Sequence, residues 1–318
     1  MIKTTVIIPN YNGIEYLENC LRSLEKEEAH IIVVDNASTD GSFEMIAGKF
    51  PAVRTIRMKE NTGFCRAVNA GIAVSTTKYV IFLNNDTIVE EGFVQELEQV
   101  MEQDKKLFSA SAKMISMQDK EKIDDAGDLY CALGWAFAIG KGKSEKKYTK
   151  SYRIFAACGG ASIYRRSVFK QIGALDENHF AYLEDIDLGY RARIYGYHSL
   201  FVPAARVYHA GSAASGSRYN TFKTDLASRN SIYLIYKNMP FVQIIINLPF
   251  LILGFAIKTL FFTCKGMGSA YIKGLYNGFR LSASPEGRQN KVRFTPRRFF
   301  TYCYIQLMLW FNIIRRFC

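Results

Sequence analysis

Short runs of β-branched apolar residues alternate with amphipathic segments through the first hundred residues of this 318-residue chain. The pattern predicts strands at 5–8, 31–34, 53–58 and 79–83, and helices at 15–26, 41–49, 61–73 (entered through a loop) and 92–103. Strands and helices that alternate at this spacing form an α/β fold with a mostly parallel central sheet and helices on both faces. The glycine-rich segment 107–166 lacks this alternation, and we predict a less regular structure there.

Polar clusters follow two of the predicted strands. Asp35 comes directly after IIVV, and Asp86 closes the sequence FLNNDT after the fourth strand. A third cluster, YLEDIDLGYRAR, contains the neighbouring acids Glu184 and Asp185. Because open α/β sheets bind ligands at the carboxyl ends of their strands, the first two clusters predict a ligand site at that edge.

The positive charge is concentrated in the last eighty residues. From Lys237 onward the sequence has twelve Lys or Arg and one acid, of an overall net charge of +12, and two apolar stretches at 241–262 and 299–314. This composition predicts a catalytic domain at 1–236 and a basic, aromatic-rich helical tail at 237–318. The tail fits helices lying on an anionic membrane surface, with a membrane span or hairpin and an ordinary soluble tail as alternatives. Long aliphatic runs suit lipid better than phosphate, so we expect no nucleic-acid binding.

The cysteines and the N-terminus bear on the compartment. The seven cysteines are scattered and show no CxxC spacing, which argues against a disulfide framework and against a structural zinc site. The chain enters a predicted strand within a few residues, without the pattern of a secretory signal. Together with the basic tail, these features predict a peripheral or monotopic protein at the cytoplasmic face of the plasma membrane.

Seven motifs together resemble one enzyme family. They are IIPNYNG, VVDNASTDGS, ENTGFCRAVNAGI, FLNNDT, CGGAS, YLEDIDLGYRAR and VYHAGS, in that order. Their order and spacing are similar to those of family 2 glycosyltransferases of the GT-A fold, particularly the bacterial rhamnosyltransferase-like members. The resemblance covers residues 1 to roughly 240. It implies transfer of a sugar from a nucleoside-diphosphate sugar to a glycan acceptor.

The resemblance also assigns residues to the donor. In relatives, the residue matching Asp35 accepts the ring N–H of uracil or thymine, although an N-cap or Asx-turn role before the next helix is the alternative for a residue in this position. Arg66 suits a phosphate contact or simple surface solvation. The full set expected to bind the nucleotide sugar is Pro9, Asn10, Tyr11, Asn12, Asp35, Asn36, Asn61, Gly63, Arg66, Asn69, Asn84, Asn85, Asp128 and Gly160.

A divalent cation is expected beside the donor. The donor leaves as a diphosphate, and a cation offsets the charge that develops on it. Hard oxygen ligands suit Mg²⁺ or Mn²⁺. By resemblance Asp86 is the metal-binding end of a DXD motif that reads Asn84, Asn85, Asp86 here, and His209 supplies an imidazole. A helix-capping turn at Asp86 and a structural histidine are the alternatives.

The paired acids fit general-base catalysis. An inverting transfer requires a carboxylate that removes the proton of the acceptor hydroxyl as that hydroxyl attacks C1. We assign this role to Asp185, the second acid of the family's ED motif, with Glu184 as the alternative base. Asp187 is expected to pair with Arg191 four residues later.

Rival functions lack their own motifs. The sequence lacks the GxGxxG motif that a dinucleotide-dependent oxidoreductase requires. It also lacks the Gly-rich phosphate loop that a sugar-phosphate nucleotidylyltransferase carries after its first strand. No QxxRW-like motif of the processive synthases occurs between Tyr190 and Asn238. We therefore predict transfer of one sugar, from dTDP-rhamnose or a UDP-sugar, to a glycan, with a lipid-linked glycan of cell-surface polysaccharide synthesis as the expected acceptor. A non-catalytic membrane-bound nucleotide-sugar binder is the alternative.

Overall fold

The computed structural model describes residues 1–211 and 220–317, and within them ten strands form one mixed sheet while two form a separate hairpin. The strands are β1 (Thr4–Asn10), β2 (His30–Asp35), β3 (Arg54–Arg57), β4 (Tyr79–Leu83), β5 (Thr87–Val89), β6 (Leu107–Ser116), β7 (Ile123–Asp125), β8 (Asp128–Cys131), β9 (Trp135–Ala138), β10 (Tyr152–Ile154), β11 (Ala161–Arg165) and β12 (His198–His209).

Helices surround the sheet and form the C-terminal part of the molecule. They are α1 (Ile14–Ser23), α2 (Ser42–Lys49), α3 (Gly63–Val74), α4 (Phe93–Gln103), α5 (Arg166–Ile172), α6 (Glu184–Ile194), α7 (Thr221–Asn238), α8 (Phe241–Cys264), α9 (Gly268–Ala283), α10 (Pro285–Gln289) and α11 (Phe299–Phe317). The motif VYHAGS ends at Ser212, outside the described residues.

The central strands are buried on both faces, which explains their apolar sequences. In β1, Ile8 packs with α1, α2 and α4 on one side, whereas Ile7 packs with α3, α5 and α6 on the other. Every residue of β4 is buried. A strand covered on both faces shows a continuous apolar run and not an alternating one, as the sequence of β4 does.

The sheet order places the polar strand ends side by side. The order is β10-β12-β6-β11-β4-β1-β2-β3, with β5 beside β12 and β7 beside β6. Strands β4, β1, β2 and β3 are mutually parallel, and β11 is antiparallel to both β4 and β6. Asn10 at the end of β1 is in register with Asp35 at the end of β2. The predicted α/β fold with its mostly parallel central sheet is confirmed.

The prediction of a less regular structure for the segment 107–166 is wrong in one respect, because this segment contributes six strands. The longest, β6, is almost wholly buried, but polar residues interrupt its apolar pattern. The Ser109 hydroxyl lies 2.8 Å from that of Ser199 on β12, and buried Lys113 forms an ion pair with Glu145. These partners satisfy polar groups inside the sheet, so the strand exists without an apolar run.

The C-terminal helices pack onto the catalytic part of the chain. Helix α7 runs through the boundary predicted at 236/237, and α9 approaches it closely at Gly274 and Gly278, where a Cβ would collide with α7 backbone. Helix α11 buries Ile305 and Leu309 against α6. Helix α8, of 24 residues and mean hydropathy 2.1, is long and apolar enough to cross a membrane by length and composition, and 17% of its most apolar window is buried.

Candidate active site

A cleft of about 630 Å³ opens at the carboxyl ends of β1 and β4 and is closed on its other side by the start of α6. The strands end here because their apolar runs give way to polar residues that cannot continue the core. Of the residues predicted from sequence, the cleft is lined by Pro9, Asn10, Tyr11, Asn36, Asn61, Gly63, Asn84, Asn85, Asp86, Asp128, Gly160, Glu184, Asp185 and His209.

Asp35 lies behind the wall of the cleft and is fully buried. Its carboxylate accepts hydrogen bonds from the Asn10 amide at 3.3 Å and from the Ser38 N–H at 3.2 Å, and Arg57 Nε is 4.0 Å away. The Asn85 amide donates in turn to Asn10 Oδ1 at 2.6 Å. Asp35 thus accepts the N–H three residues further on, a local contact of the kind considered as its alternative role, and it also fixes the Asn10 side chain that lines the cleft.

Neighbouring loops build the same wall. The Asn36 amide donates to Asn61 Oδ1 at 3.0 Å and to the Gly63 carbonyl at 3.2 Å, which joins the end of β2 to the start of α3. Asn12 does not line the cleft; it has φ 50°, and its Oδ1 accepts the Thr39 N–H at 2.9 Å.

Arg66 and Asn69 are on the far side of α3 from the cleft. Arg66 Nε donates to Glu177 Oε2 at 2.7 Å, and the Asn69 amide donates to Glu177 Oε1 at 3.1 Å and to the Leu175 carbonyl at 2.9 Å. The structure therefore does not bring these two predicted donor ligands to the site. In this arrangement they tie α3 to the turn that precedes α6.

His209, at the end of β12, lies between two carboxylates. Its Nε2 is 3.2 Å from Asp86 Oδ1, and its Nδ1 is 2.7 Å from Asp124 Oδ2. The Asn84 amide nitrogen is 3.4 Å from Nε2. Burial disfavours the charged imidazole, but Asp124 and Asp86 outweigh burial and raise the pKa of His209 to about 9.

Asp124 was missed by the sequence analysis, which singled out only Asp128 from DDAGD. Burial opposes its charge, yet His209 and Lys141 lower the pKa of Asp124 to about 2. Lys141 Nζ is 2.6 Å from Asp124 Oδ1. A carboxylate on the second nitrogen of a histidine fixes the ring and its tautomer, as occurs at metal sites. The neighbouring acids Asp124 and Asp125 before Gly127 were the only hint in the sequence, and they do not reveal a partner 85 residues away.

A second group of acids lies at the N-terminus of α6. Burial, and then the charge of Asp185, raise the pKa of Glu184 to about 8, and Glu184 Oε2 has no hydrogen-bond partner among the described residues. Burial also raises the pKa of Asp185, whose Oδ1 accepts the Ile186 N–H at 2.7 Å. Asp128 and Asp185 are hydrogen-bonded to each other, and burial raises the pKa of Asp128 well above its usual range. The protonation of each of these carboxyls therefore depends on that of its neighbours.

Asp125 and Cys158 adjoin the same acids. Ligand atoms of Asp125, Asp128 and Cys158 lie within 4.8 Å of one another. Burial raises the pKa of Asp125 to about 7. Burial likewise raises the pKa of the Cys158 thiol well above its usual range, so the thiol is no nucleophile at neutral pH.

The loop before α6 is strained. Phe180, Tyr182 and Leu183 all have positive φ, at 63°, 70° and 68°, a backbone conformation that residues other than glycine rarely adopt. Buried Asn230 of α7 holds this loop, since its amide donates to the carbonyls of His179, Ala181 and Tyr182 at 2.9, 2.8 and 2.8 Å. The start of α6 is thereby set by a helix that follows it in the chain.

A buried ion network joins α6 to α7. Asp187 and Arg191 are 2.7 Å apart, which confirms the predicted pair. Lys237 Nζ lies 2.9 Å from Asp187 and 2.8 Å from Asp176, and the Asn238 amide donates to Asp187 Oδ1 at 2.8 Å. Despite burial, Arg191 and Lys237 hold the pKa of Asp187 far below its usual range.

Comparison with known proteins agrees with this geometry. The family model for glycosyl transferase family 2 matches residues 5–173. The N-acetylglucosaminyl-diphospho-decaprenol L-rhamnosyltransferase of Mycobacterium tuberculosis is 27% identical over 239 residues, which cover 66% of this chain and 77% of the relative. Glycosyltransferase GlyG of Streptococcus pneumoniae is 33% identical over 107 residues, 31% of this chain and 36% of the relative.

Solved structures share the fold. GalNAc-T7 with UDP, GalNAc and Mn²⁺ superposes with a TM-score of 0.61 at 17% identity, covering 74% of this chain and 48% of that one. The mannosyltransferase PcManGT of Pyrobaculum calidifontis, in complex with GDP-Man and Mn²⁺, gives a TM-score of 0.52 at 16% identity over 96% of this chain and 84% of that one. At these identities the likeness shows the fold alone, and that fold is GT-A.

The fold is that of the GT-A glycosyltransferases. The chain belongs to glycosyl transferase family 2 and is a rhamnosyltransferase-like glycosyltransferase, as the seven motifs indicated.

Proposed function

We propose that this enzyme moves one sugar, with inversion at C1, from dTDP-rhamnose or a UDP-sugar to a lipid-linked glycan during synthesis of a cell-surface polysaccharide. The observation that carries the proposal is the presence of two different acid groups in one cleft. Asp86 with His209 supplies ligands for a cation, and Asp185 is a half-buried carboxylate with a raised pKa. Acids in such different environments suit different roles in one reaction.

The donor is proposed to bind along the ends of β1 and β2. The cleft narrows at Gly160, where an added Cβ would come within 3.1 Å of the Asn84 amide. Glycine at this position permits the sugar to approach the backbone. The base lies against Asn10 and Asn36, whose amides are oriented by Asp35 and Asn61.

The residues present fit a divalent cation. Asp86 and His209 offer an oxygen and a nitrogen ligand that Mn²⁺ accepts, and Mg²⁺ is the alternative. Asp124 holds the His209 ring from behind, as a carboxylate does for a metal-bound histidine. When bound, the cation supplies positive charge for the diphosphate leaving group. Since the carboxylates beside it raise the pKa of His209 to about 9, the imidazole would have to release a proton to ligate a cation.

Asp185 is proposed as the general base. Its carboxylate sits at the helix N-terminus of α6, where one oxygen accepts the Ile186 N–H, so the ionised form is stabilised and oriented. The acceptor hydroxyl transfers its proton to Asp185 while its oxygen forms the new bond to C1 and the nucleoside diphosphate departs from the opposite face. Burial raises the pKa of Glu184 to about 8 and also raises that of Asp128, so both neighbours resist ionisation and compete less with Asp185 for the negative charge.

A membrane acceptor is supported by the surface of α8. Its large apolar side chains are exposed, with Phe241 at 74%, Ile252 at 62% and Leu260 at 68%. Such a surface exceeds what a soluble monomer usually presents and suits a lipid interface. The mycobacterial relative is named for an acceptor linked to decaprenol through a diphosphate. These features support work at a membrane surface, and we propose the cytoplasmic face because the N-terminus and the cysteines predict it.

The test is a transfer assay with purified protein and Mn²⁺. Donors are dTDP-rhamnose and a set of UDP-sugars, the acceptor is N-acetylglucosamine linked through diphosphate to a short prenyl chain, and products are identified by mass spectrometry. The proposal predicts a product one sugar heavier with inverted anomeric configuration. Retention of configuration, or addition of many sugars in one encounter, would contradict it.

A further inference from the structure

A second groove, of about 660 Å³, lies on the other side of the β8–β9 hairpin from the cleft. The two spaces share Ala136, Phe137 and Ala138 as lining, so the groove begins where the cleft ends. Along β8, Asp128 lines the cleft while the next residue, Leu129, lines the groove. This alternation is that of a strand with one face toward each space.

The groove is strongly basic. Its walls come from the loop after β9, from the second half of α8 and from the end of α11, and its cations are Lys141, Lys143, Lys258, Arg315 and Arg316. Lys141 is paired with Asp124. Within residues 1–211 and 220–317, the other four form no ion pair with an acid, and no carboxylate lines the groove. Four cations gathered without a counter-charge favour an anionic ligand.

The same groove is aromatic and apolar. Lys258 Nζ is 5.8 Å from the centre of the Trp135 ring, and the Arg316 guanidinium is 5.5 Å from the centre of the Phe137 ring. At its α8 end the groove meets exposed apolar side chains, with Ile257 at 44% and Leu260 at 68% exposure. A ligand that follows this path meets the catalytic cleft first, then positive charge, and then an apolar helix face.

We infer that this groove binds the diphosphate of the acceptor and the first part of its hydrocarbon chain, while the acceptor sugar extends into the cleft toward Asp185. This inference rests on the proposed function for the identity of the sugar, but its ligand class follows from the groove itself. Lys143 and Arg316 contact the diphosphate, and Trp135 and Phe137 contact the chain. The chain then continues along the apolar face of α8 into the bilayer.

The sequence provides a reporter for the experiment. The chain has two tryptophans, Trp135 in the groove and Trp310 on α11, so Trp310→Phe leaves Trp135 as the sole source of tryptophan fluorescence. Farnesyl diphosphate is titrated in the presence of chelator, which prevents metal-dependent binding at the donor site. Farnesol and inorganic diphosphate serve as the half-ligands. Calorimetry on the unsubstituted chain makes the same comparison if the reporter variant does not fold.

The groove variant is Lys143→Gln with Arg316→Gln, and the matched control is Lys105→Gln with Lys170→Gln, which removes two exposed cations elsewhere. We expect saturable quenching by farnesyl diphosphate, binding at least about tenfold weaker in the groove variant, and no change in the control. Equal affinity for farnesol, or equal binding by the groove variant, would overturn the inference. Phosphatidylglycerol vesicles that quench Trp135 as effectively as farnesyl diphosphate would also overturn it, because the groove would then be a general binding site for anionic surfaces.

The proposed function and the groove assignment can be refuted independently of each other. Binding of farnesyl diphosphate without sugar transfer in the assay above would refute the proposed donor or acceptor and leave the groove assignment intact. Transfer to the lipid-linked acceptor at an unchanged rate in the groove variant would refute the groove assignment and leave the proposed function intact.

Discussion

Asp185 combines two properties that a general base requires in this cleft. Burial raises its pKa toward the working range, and the N–H of Ile186 keeps the ionised form oriented. Burial also raises the pKa of Asp128, and that of Glu184 to about 8. Neighbouring carboxyls that cannot all ionise together separate in pKa, and we propose that Asp185 is the one that ionises.

Substitution of the base tests this assignment. Asp185→Asn keeps the size and the contact with the backbone but cannot accept the proton. We expect the transfer rate to fall by about 10²- to 10⁴-fold while the affinity for the nucleoside diphosphate is unchanged. Single-turnover kinetics measures the transfer rate, and calorimetry measures the affinity for the nucleoside diphosphate. Transfer at the wild-type rate would remove Asp185 from the mechanism.

The pH dependence separates the two candidate bases. A base acts in its ionised form, so the rate rises with pH through the pKa of the base and then levels off. If Asp185 is the base, the rise follows the pKa of Asp185 and not that of Glu184, and Glu184→Gln stays within about tenfold of wild type at pH 7. If Glu184 were the base, the rate would still be rising at its pKa of about 8 and Glu184→Gln would be inactive.

At the scale of elements, helix α7 holds the loop that precedes α6, the helix of the proposed base Asp185. Asn230 donates to three carbonyls of a loop whose residues Tyr182 and Leu183 have positive φ. Hydrogen bonds from another element make such a backbone persist, because the strained conformation has no local support. The position of Asp185 thus depends on a side chain 45 residues further along the chain.

Asn230→Asp tests this positioning role, because aspartate matches the shape of asparagine but cannot donate when ionised. We expect kcat to fall between about tenfold and a hundredfold with little change in the donor KM, since the base moves while the donor wall does not. Ser231→Ala is the control, as that hydroxyl bonds to Ala227 of its own helix. A variant with normal kcat, or with kcat and donor KM altered together, would argue against positioning.

Sequence reasoning succeeded where local pattern decides the structure. The fully buried strand β4 and the polar residues after it were predictable, because an apolar run followed by Asn84–Asp86 has few other solutions. It failed where a long-range partner decides. Strand β6 contains buried Ser109 and Lys113, and Asp124 orients His209. Each of these three residues takes its position from a partner side chain more than 30 residues away in the sequence.

At the scale of the whole molecule, the C-terminal helices are part of the structure that supports the catalytic acids. Ile305 and Leu309 of α11 are fully buried against a core that includes Tyr190 of α6. Lys237 completes the ion network of Asp187. Deletion of the tail would therefore expose the core behind α6, and is not a clean test of membrane binding.

Lys237→Met tests this dependence. The substitution leaves Asp176 and Asp187 without a buried cation that they share, and we expect a loss of about 3–5 kcal/mol in the free energy of unfolding. Urea denaturation monitors the change. Lys273→Met, at an exposed position of α9, is the control and is expected to stay within about 0.5 kcal/mol of wild type. Equal stability of the two variants would show that the network does not hold the helices together.

The central claim is that one cleft binds a nucleoside diphosphate through a cation held by Asp86 and His209. The most direct measurement is thermal unfolding of the purified protein with dTDP or UDP, each with Mn²⁺ and with chelator, for the wild type and for Asp86→Ala. Because a ligand that binds only the native state raises its stability, the account predicts a higher Tm with nucleotide and Mn²⁺ together, lost with chelator and lost in Asp86→Ala. An equal rise with chelator, or in Asp86→Ala, would contradict it.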